Sequence, residues 1–201
     1  MKRFAMILLM VASVTTLVAA GASPPGEFEP IRGVVSNFDG KQVVLKTSTG
    51  LRAVDLTPDW KAQVMRPIDV AHIREGSFIG TAEMPQPDGT GRSLEVHVFP
   101  PGMKGGEGHY PWTLRKGSMM TNGTVGKVTA GSKGRELEVT YSTGTRRIVV
   151  PPNVPVVQIE SADRSVVKVG AHIFVMATPK PDGGLVTANV GVGADGAKPP
   201  M

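Results

Sequence analysis

An internal repeat constrains the fold of this chain more than any other feature of its sequence. A shift of 94 positions gives twelve identities in a gap-free stretch of 42 residues, where about three are expected for this composition. The matched residues of the first copy are Ser48, Thr49, Gly50, Arg52, Pro58, Asp69, Gly76, Ile79, Pro85, Pro87, Asp88 and Gly89. Because each copy of such a repeat forms one structural unit, the sequence predicts the same unit twice.

The repeat divides the chain into two copies and several other segments. We place the copies at residues 31–99 and 122–193, and we assign residues 100–121 to a linker rich in glycine and methionine. Residues 194–201 follow as a C-terminal tail. Two small domains joined by a linker are therefore predicted.

Short strands dominate the pattern within each copy. Leu137, Val139 and Tyr141 alternate with polar residues, and this period of two is typical of a half-buried strand. The chain also holds 25 glycines and 17 prolines, which favour tight turns over long helices. The predicted strands of the first copy are 31–38, 42–47, 51–56, 62–66, 77–82 and 93–99, with counterparts in the second copy. The predicted fold class is all-β.

Each copy leaves room for one helical turn, at 69–74 and 163–168. We interpret Asp69 and Asp163, which occupy equivalent positions, as the N-caps of these turns. Five or six short antiparallel strands with one such turn are typical of a small closed barrel. We therefore predict two tandem small antiparallel β-barrels, OB-like or SH3-like, that follow a signal peptide and dock on each other.

The first 22 residues have the order of a secretory signal peptide. Lys2 and Arg3 precede an apolar run, and the small residues Ala20, Gly21 and Ala22 follow it. We predict cleavage after Ala22 and a bacterial periplasmic or secreted location, with no membrane span in the mature chain. An uncleaved anchor is the alternative, because the apolar segment reaches the lower length limit for crossing a bilayer. The absence of cysteine excludes a lipid anchor on an N-terminal cysteine, as well as disulfides and thiolate zinc sites.

Several longer stretches of the chain support a family resemblance. They are LEVHVFP at 94–100, GEGHYPW at 106–112, MTNGTV at 120–125, VPP at 150–152 and PPM at 199–201. In these stretches the chain resembles the bacterial secreted proteins of domain-of-unknown-function family 5666, over nearly all of its mature length. The resemblance implies a β-barrel protein of the cell envelope and no particular activity.

The linker carries the densest candidate chemistry of the sequence. Met103, His109, Met119 and Met120 bring three thioethers and an imidazole within 18 residues, and these ligands suit Cu(I) or Ag(I). Trp112 lies among them, and an indole ring attracts a cation through its face. We therefore hypothesise a soft-metal site formed by Met103, His109, Met119 and Met120.

A packing role is the favoured interpretation of the same linker. In that interpretation Met103, Trp112 and Met119 fill the crevice between the two barrels, because methionine adapts to irregular gaps. Both interpretations remain open at this stage.

The other histidines give weaker signals. His97 alternates with apolar neighbours, which predicts that it lies with Glu95 on the wetter face of its strand. His72 and His172 have no histidine at the equivalent position of the other copy, where Val166 and Phe78 stand. A two-fold metal site built from equivalent residues is therefore not expected.

Enzyme and nucleic-acid motifs are missing or misplaced. The stretch GVGADG at 191–196 has the letters of a dinucleotide fingerprint, but Pro199 and Pro200 stand where the phosphate-binding helix must begin. Neither an HExxH nor a GxSxG motif occurs. Two of the positive charges behind the net charge of +5 belong to the leader, and aromatic residues make up only 5% of the chain. Too little cationic and aromatic surface is left for a nucleic-acid groove. We predict no enzymatic activity and no nucleic-acid partner.

Two functional hypotheses follow. The first is an exported, non-enzymatic envelope protein that acts as a binding or interaction module for another, unidentified envelope component, with no cofactor. The second is a periplasmic binding or carrier protein for Cu(I) or Ag(I) that uses the methionines and the histidine of the linker.

Overall fold

A computed structural model describes residues 28–201, and the regular elements of this part are strands and short 3-10 turns. The strands are β1 (Glu29–Phe38), β2 (Gln42–Thr47), β3 (Gly50–Pro67), β4 (Phe78–Pro85), β5 (Gly91–Val98), β6 (Gly108–Pro111), β7 (Met119–Gly131), β8 (Gly134–Tyr141), β9 (Gly144–Val150), β10 (Val156–Ala162), β11 (His172–Pro179) and β12 (Leu185–Gly193). The predicted signal peptide, residues 1–22, lies outside the described part of the chain. Within that part, no helix is long and apolar enough to cross a bilayer.

The all-β prediction is confirmed, and the strands form where the period-two pattern places them. β2 has the predicted bounds, and the buried residues of β8 alternate with exposed ones. The two strands predicted at 51–56 and 62–66 are instead one continuous strand, β3, of 18 residues. Their counterparts in the second copy, β9 and β10, remain separate, because three prolines, Pro151, Pro152 and Pro155, lie between them, whereas β3 contains only Pro58 in the equivalent stretch.

Both predicted aspartate caps are confirmed. The Asp69 carboxylate accepts a hydrogen bond from the backbone nitrogen of Ala71, at 2.7 Å, at the start of a 3-10 turn. Asp163 does the same for Ser165 at 2.8 Å. The two copies therefore share their local turn chemistry.

A closed five-stranded barrel occupies one half of the described chain. β1 pairs with β2, and β2 pairs with β3 in antiparallel fashion. β3 pairs with β12 in parallel, β12 pairs with β11, and β11 pairs with β1, which closes the sheet. We call this closed sheet the first barrel; its interior holds Leu45, Val54, Trp60 and Val190 among other buried residues.

The remaining strands close a second ring of pairings. β4 pairs with β5 and with β7, β8 lies between β7 and β9, and β9 meets β5 in a short parallel contact. We call this sheet the second ring; Ile79, Val96, Val139 and Ile148 belong to its apolar interior. β10 joins both halves into one sheet, because it pairs with β3 on one side and with β5 on the other.

The predicted tandem arrangement, with each copy closed on itself, is wrong in its strand pairing. β11 and β12 of the second copy complete the first barrel, whereas β4 and β5 of the first copy complete the second ring. The continuous strand β3 takes part in this arrangement, because beyond β2 it pairs with β12 of the second copy on one side and with β10 on the other. The two copies exchange their last two strands.

The linker and the tail are more ordered than the predicted boundaries suggest. β6 lies within the predicted linker 100–121 and pairs with β7, which begins at Met119 rather than at residue 122. The tail turns back, and Met201 is buried in a third apolar cluster with Met65, Ile159 and Phe174. This cluster contains residues of both copies and lies beside the cleft described next.

Candidate functional site

A cleft of about 1120 Å³ separates the first barrel from the second ring. Met65 and Phe174 line it from the first barrel, and His97 and Met120 line it from the second ring. The segment that follows β5 covers part of it with residues that include Trp112. The strand exchange therefore creates the cleft, since its walls belong to different rings.

Methionine and aromatic side chains supply a large apolar part of the lining. Five of the seven methionines in residues 28–201 contribute to it: Met65, Met103, Met120, Met176 and Met201. The aromatic residues of the lining are Phe28, Phe99, Tyr110, Trp112 and Phe174. Trp112 packs against the third apolar cluster, as the packing interpretation of the linker predicts. A lining of this kind is apolar yet adaptable in shape.

His97 is the central polar residue of the cleft. Its Nδ1 lies 3.1 Å from Oε2 of Glu95, and the other oxygen of that carboxylate accepts a hydrogen bond from the backbone nitrogen of Ala82 at 2.7 Å. Because a carboxylate only accepts hydrogen bonds, Nδ1 carries the proton. In the tautomer that carries its proton on Nδ1, Nε2 is an acceptor, and it has no hydrogen-bond partner among the described residues.

Asn122 lies beside His97 on the same wall. Its Nδ2 donates hydrogen bonds to the carbonyl oxygen of Gly106 and to the hydroxyl of Tyr110, both at 2.7 Å. The carbonyl of Gly106 only accepts, so the amide orientation of Asn122 is fixed. Its Oδ1 is buried without a partner in the described part of the chain. A Cβ at Gly80 would overlap both this oxygen and Nε2 of His97, so the two acceptors are neighbours above Gly80.

The prediction that His97 and Glu95 lie on a wet strand face is wrong. His97 is 4% exposed and Glu95 is fully buried. The alternation itself is correct, since Val96 and Val98 point into the second ring. The outer face is nevertheless covered, because the first barrel and the segment after β5 pack over it.

The four predicted metal ligands do not meet at one place. Met103 and Met120 line the cleft, but His109 and Met119 do not. In the register of β6 on β7, Tyr110 pairs with Met120, and His109 pairs with Thr121. Successive residues of a strand face opposite ways, so His109 and Met119 point away from the cleft.

His109 instead belongs to a polar cluster in the second ring, which we call the mouth cluster: Glu83, His109, Thr121 and Arg146. Nε of Arg146 donates to Oε1 of Glu83 at 2.7 Å, and Nδ1 of His109 lies 3.8 Å from the same oxygen. Nδ1 of His109 is 2.8 Å from the hydroxyl of Thr121. The cluster places a fully buried carboxylate within reach of a cation and an imidazole.

Burial moves the pKa values of the mouth cluster in opposite directions. Desolvation raises the pKa of Glu83, and the hydrogen bond and charge of Arg146 oppose this shift. Desolvation lowers the pKa of His109, and the charge of Arg146 lowers it further. Both shifts favour the neutral forms of these two side chains.

Arg32 supplies a positive charge behind the cleft. Its guanidinium lies 5.4 Å from the ring centre of Phe174 and 5.9 Å from that of Trp112, and its Nε donates to the backbone oxygen of Met201. Burial lowers the pKa of Arg32, and the negative charge of Glu95 counteracts that shift. The tail is thus held against the aromatic wall through Arg32.

Sequence reasoning missed Glu83 and Asn122, and it assigned no role in a site to Glu95, His97 and Arg146. One usable signal was the Glu-x-His spacing of residues 95 and 97, which places both side chains on one strand face. Within residues 28–201, no group of three or more histidine, aspartate or glutamate side chains is arranged to hold a metal ion.

Comparisons with known proteins give no match. No protein-family model matches the chain, and no curated protein or solved structure does so either. The family resemblance inferred from the sequence stays a prediction, and the functional argument therefore depends on the residues of the site.

Proposed function

We propose that this chain is a non-enzymatic binding protein of the bacterial cell envelope, and that its cleft holds an apolar small molecule. The observation that carries this proposal is the cleft of about 1120 Å³, whose lining includes five methionines and five aromatic residues, with polar side chains such as Gln63 and His97 on both walls. Ligand sites in proteins combine this size with this kind of lining. We also propose that both rings belong to the OB-like or SH3-like class of small barrels.

The polar groups of the cleft support ligand orientation. Nε2 of His97 offers an acceptor, and the hydroxyl of Tyr110, which accepts from Asn122, retains a proton to donate. Burial raises the pKa of Tyr110, so the phenol stays protonated at neutral pH. A few such groups on an apolar wall fix the direction in which a ligand lies.

Catalysis is less well supported than binding by the surroundings of His97. A histidine held by a carboxylate resembles the orienting pair of acid–base enzymes, in which the free nitrogen activates a nucleophile. Here the neighbour of Nε2 is the amide oxygen of Asn122, and no hydroxyl in residues 28–201 bonds to that nitrogen. The pair is suited to hold a polar group of a ligand.

A fluorescent apolar probe tests the proposal. Nile red, whose emission increases in apolar surroundings, should bind the purified mature protein with one site per chain. Ala188→Trp places an indole at an exposed position of the cleft lining and should weaken this binding by at least about ten-fold. Val169→Trp is the matched control, because Val169 is exposed and lies outside the lining. Failure of the wild type to bind, or equal binding by Ala188→Trp and Val169→Trp, would overturn the proposal.

The location in the envelope has its own test. The N-terminal order of charged, apolar and small residues supports export with cleavage after Ala22. Periplasmic extracts of a bacterium expressing the full chain should contain a product that begins at Ser23. Recovery of the intact chain in the cytoplasmic fraction alone would contradict export.

A further inference from the structure

We propose that the cleft also contains a site for one soft monovalent ion, Cu(I) or Ag(I), bound by Nε2 of His97 and the thioethers of Met103 and Met120. This site differs from the set predicted from the sequence, because His97 replaces His109 and Met119. It is independent of the apolar ligand, although both occupy the same cleft.

The environment of His97 prepares it to be a ligand. Glu95 is fully buried and accepts a hydrogen bond from the Nδ1–H group of His97. This bond fixes the tautomer and directs the Nε2 lone pair away from the strand. A metal-bound histidine usually donates the N–H of its other ring nitrogen to a carboxylate or a carbonyl oxygen, which holds the ring in place. Phe99 packs edge-on against the imidazole of His97, with 5.3 Å between the two ring centres, and helps to hold the plane of the imidazole.

The unpaired amide oxygen of Asn122, next to His97, explains why a bound cation would stabilise this part of the cleft. Nε2 of His97 and Oδ1 of Asn122 both present lone pairs, and neither has a partner among the described residues. In the tautomer with its proton on Nδ1 both atoms are acceptors, so they do not satisfy each other. Of the two, Oδ1 of Asn122 is a buried acceptor without a partner, which costs free energy that a bound cation offsets.

Two thioethers are available to complete the site. Met120 is 2% exposed and lies on β7, two residues before Asn122 on the same face of the sheet. Met103 approaches from the turn after β5, where Gly102, Gly105 and Gly106 give the backbone freedom to adjust. Its sulfur lies 3.6 Å from the side-chain nitrogen of Gln63 on the opposite wall, so the turn already extends across the cleft.

The donor set selects the class of ion. Thioethers and imidazole bind soft monovalent ions in preference to Mg²⁺ or Ca²⁺, which require several oxygen ligands. The repeat position of His97 is Gly191 and that of Asn122 is Arg32, so neither residue has a counterpart of the same type in the other copy. We therefore expect one ion per chain.

Titration of the full mature chain with Ag(I), in competition with a chelating dye, tests the site. Met103→Leu and Met120→Leu keep side-chain volume and remove the sulfur. His97→Asn keeps a donor for Glu95 at the position of Nδ1 and removes Nε2. Each should weaken Ag(I) binding by at least about ten-fold. Met84→Leu and Met119→Leu are matched controls, because both thioethers lie outside the cleft lining, and they should bind as the wild type does.

Nile red binding and far-UV circular dichroism on the same variants separate this inference from the proposed function and from misfolding. A wild type that binds Nile red but not Ag(I) would overturn the metal site alone. Equal losses in the cleft variants and the controls would also overturn it, because the affinity would then not depend on these three ligands. Loss of Nile red binding in the wild type concerns only the apolar ligand.

Discussion

Glu83 and Arg146 form a buried ion pair between the two sequence copies, with Nε of the arginine 2.7 Å from Oε1 of the glutamate. The equivalent arginine of the first copy, Arg52, pairs with Glu29 at 2.9 Å in a half-exposed position. The two arginines occupy equivalent strands, β3 and β9, but the acid comes from β1 in the first barrel and from β4 in the second ring. The pair in the second ring is enclosed, because the Glu83 carboxylate is fully buried.

The difference in burial predicts unequal costs of losing the two arginines. Arg146→Ala leaves the buried Glu83 without a cation and should reduce the free energy of unfolding by about 3–5 kcal/mol at pH 7. Arg52→Ala removes an exposed pair and should cost about 0–1 kcal/mol. Urea denaturation of both variants measures the two losses. Similar small losses would show that Glu83 is not enclosed in solution.

The close approach of Gly91 to Glu83 gives a second prediction. A Cβ at position 91 would overlap the Glu83 carboxylate, so Gly91→Ala should displace it from Arg146 and reduce the free energy of unfolding by about 2 kcal/mol or more. At Gly126, a Cβ would have its nearest neighbour at 3.8 Å, and Gly126→Ala should change stability by less than about 0.5 kcal/mol. Equal thermal unfolding of the two variants would argue against the tight contact.

The pKa of His109 predicts a pH dependence of stability. Because burial lowers this pKa in the folded state, the unfolded chain binds the proton more tightly. Stability is therefore fully present above the unfolded pKa of about 6.5 and decreases as the pH falls below it. His109→Asn removes the titration and keeps a polar partner for Thr121. Between pH 8 and pH 5.5 the wild type should lose more stability than His109→Asn.

The other titratable groups, including Glu83, are present in both the wild type and His109→Asn and contribute to both curves of stability against pH. The informative quantity is therefore the difference in stability between the two proteins at each pH. His72→Asn is the control, because His72 is exposed on a 3-10 turn, and its curve should follow that of the wild type. Parallel curves for the wild type and His109→Asn would contradict the prediction.

Local structure was predictable from the sequence because it depends on local patterns. The alternation of apolar and polar residues predicted the strands, and an aspartate before each short turn predicted the caps at Asp69 and Asp163. The strand exchange was not predictable in this way. β4 and β11 follow equivalent turns and carry similar apolar patterns, so local sequence does not decide which of them pairs with β1.

The candidate site was only partly predictable for a related reason. The sequence predicted the thioethers of Met103 and Met120 as metal ligands, and both side chains line the cleft in the structure. The burial of His97 depends on the first barrel covering the outer face of β5, and no pattern within β5 records that contact. Residues at a junction between units are the ones that local periodicity misjudges.

Disulfide trapping tests the exchange of strands most directly, because the chain has no cysteine of its own. Val34 pairs with His172 across β1 and β11. In a copy closed on itself Val34 would pair with Phe78, which occupies the repeat position of His172 and here pairs with Thr124. Paired strand residues have the Cα separation that a disulfide requires. Under mild oxidation Val34→Cys/His172→Cys should cross-link and Val34→Cys/Phe78→Cys should not; the reverse result would contradict the exchanged fold and the cleft that it creates.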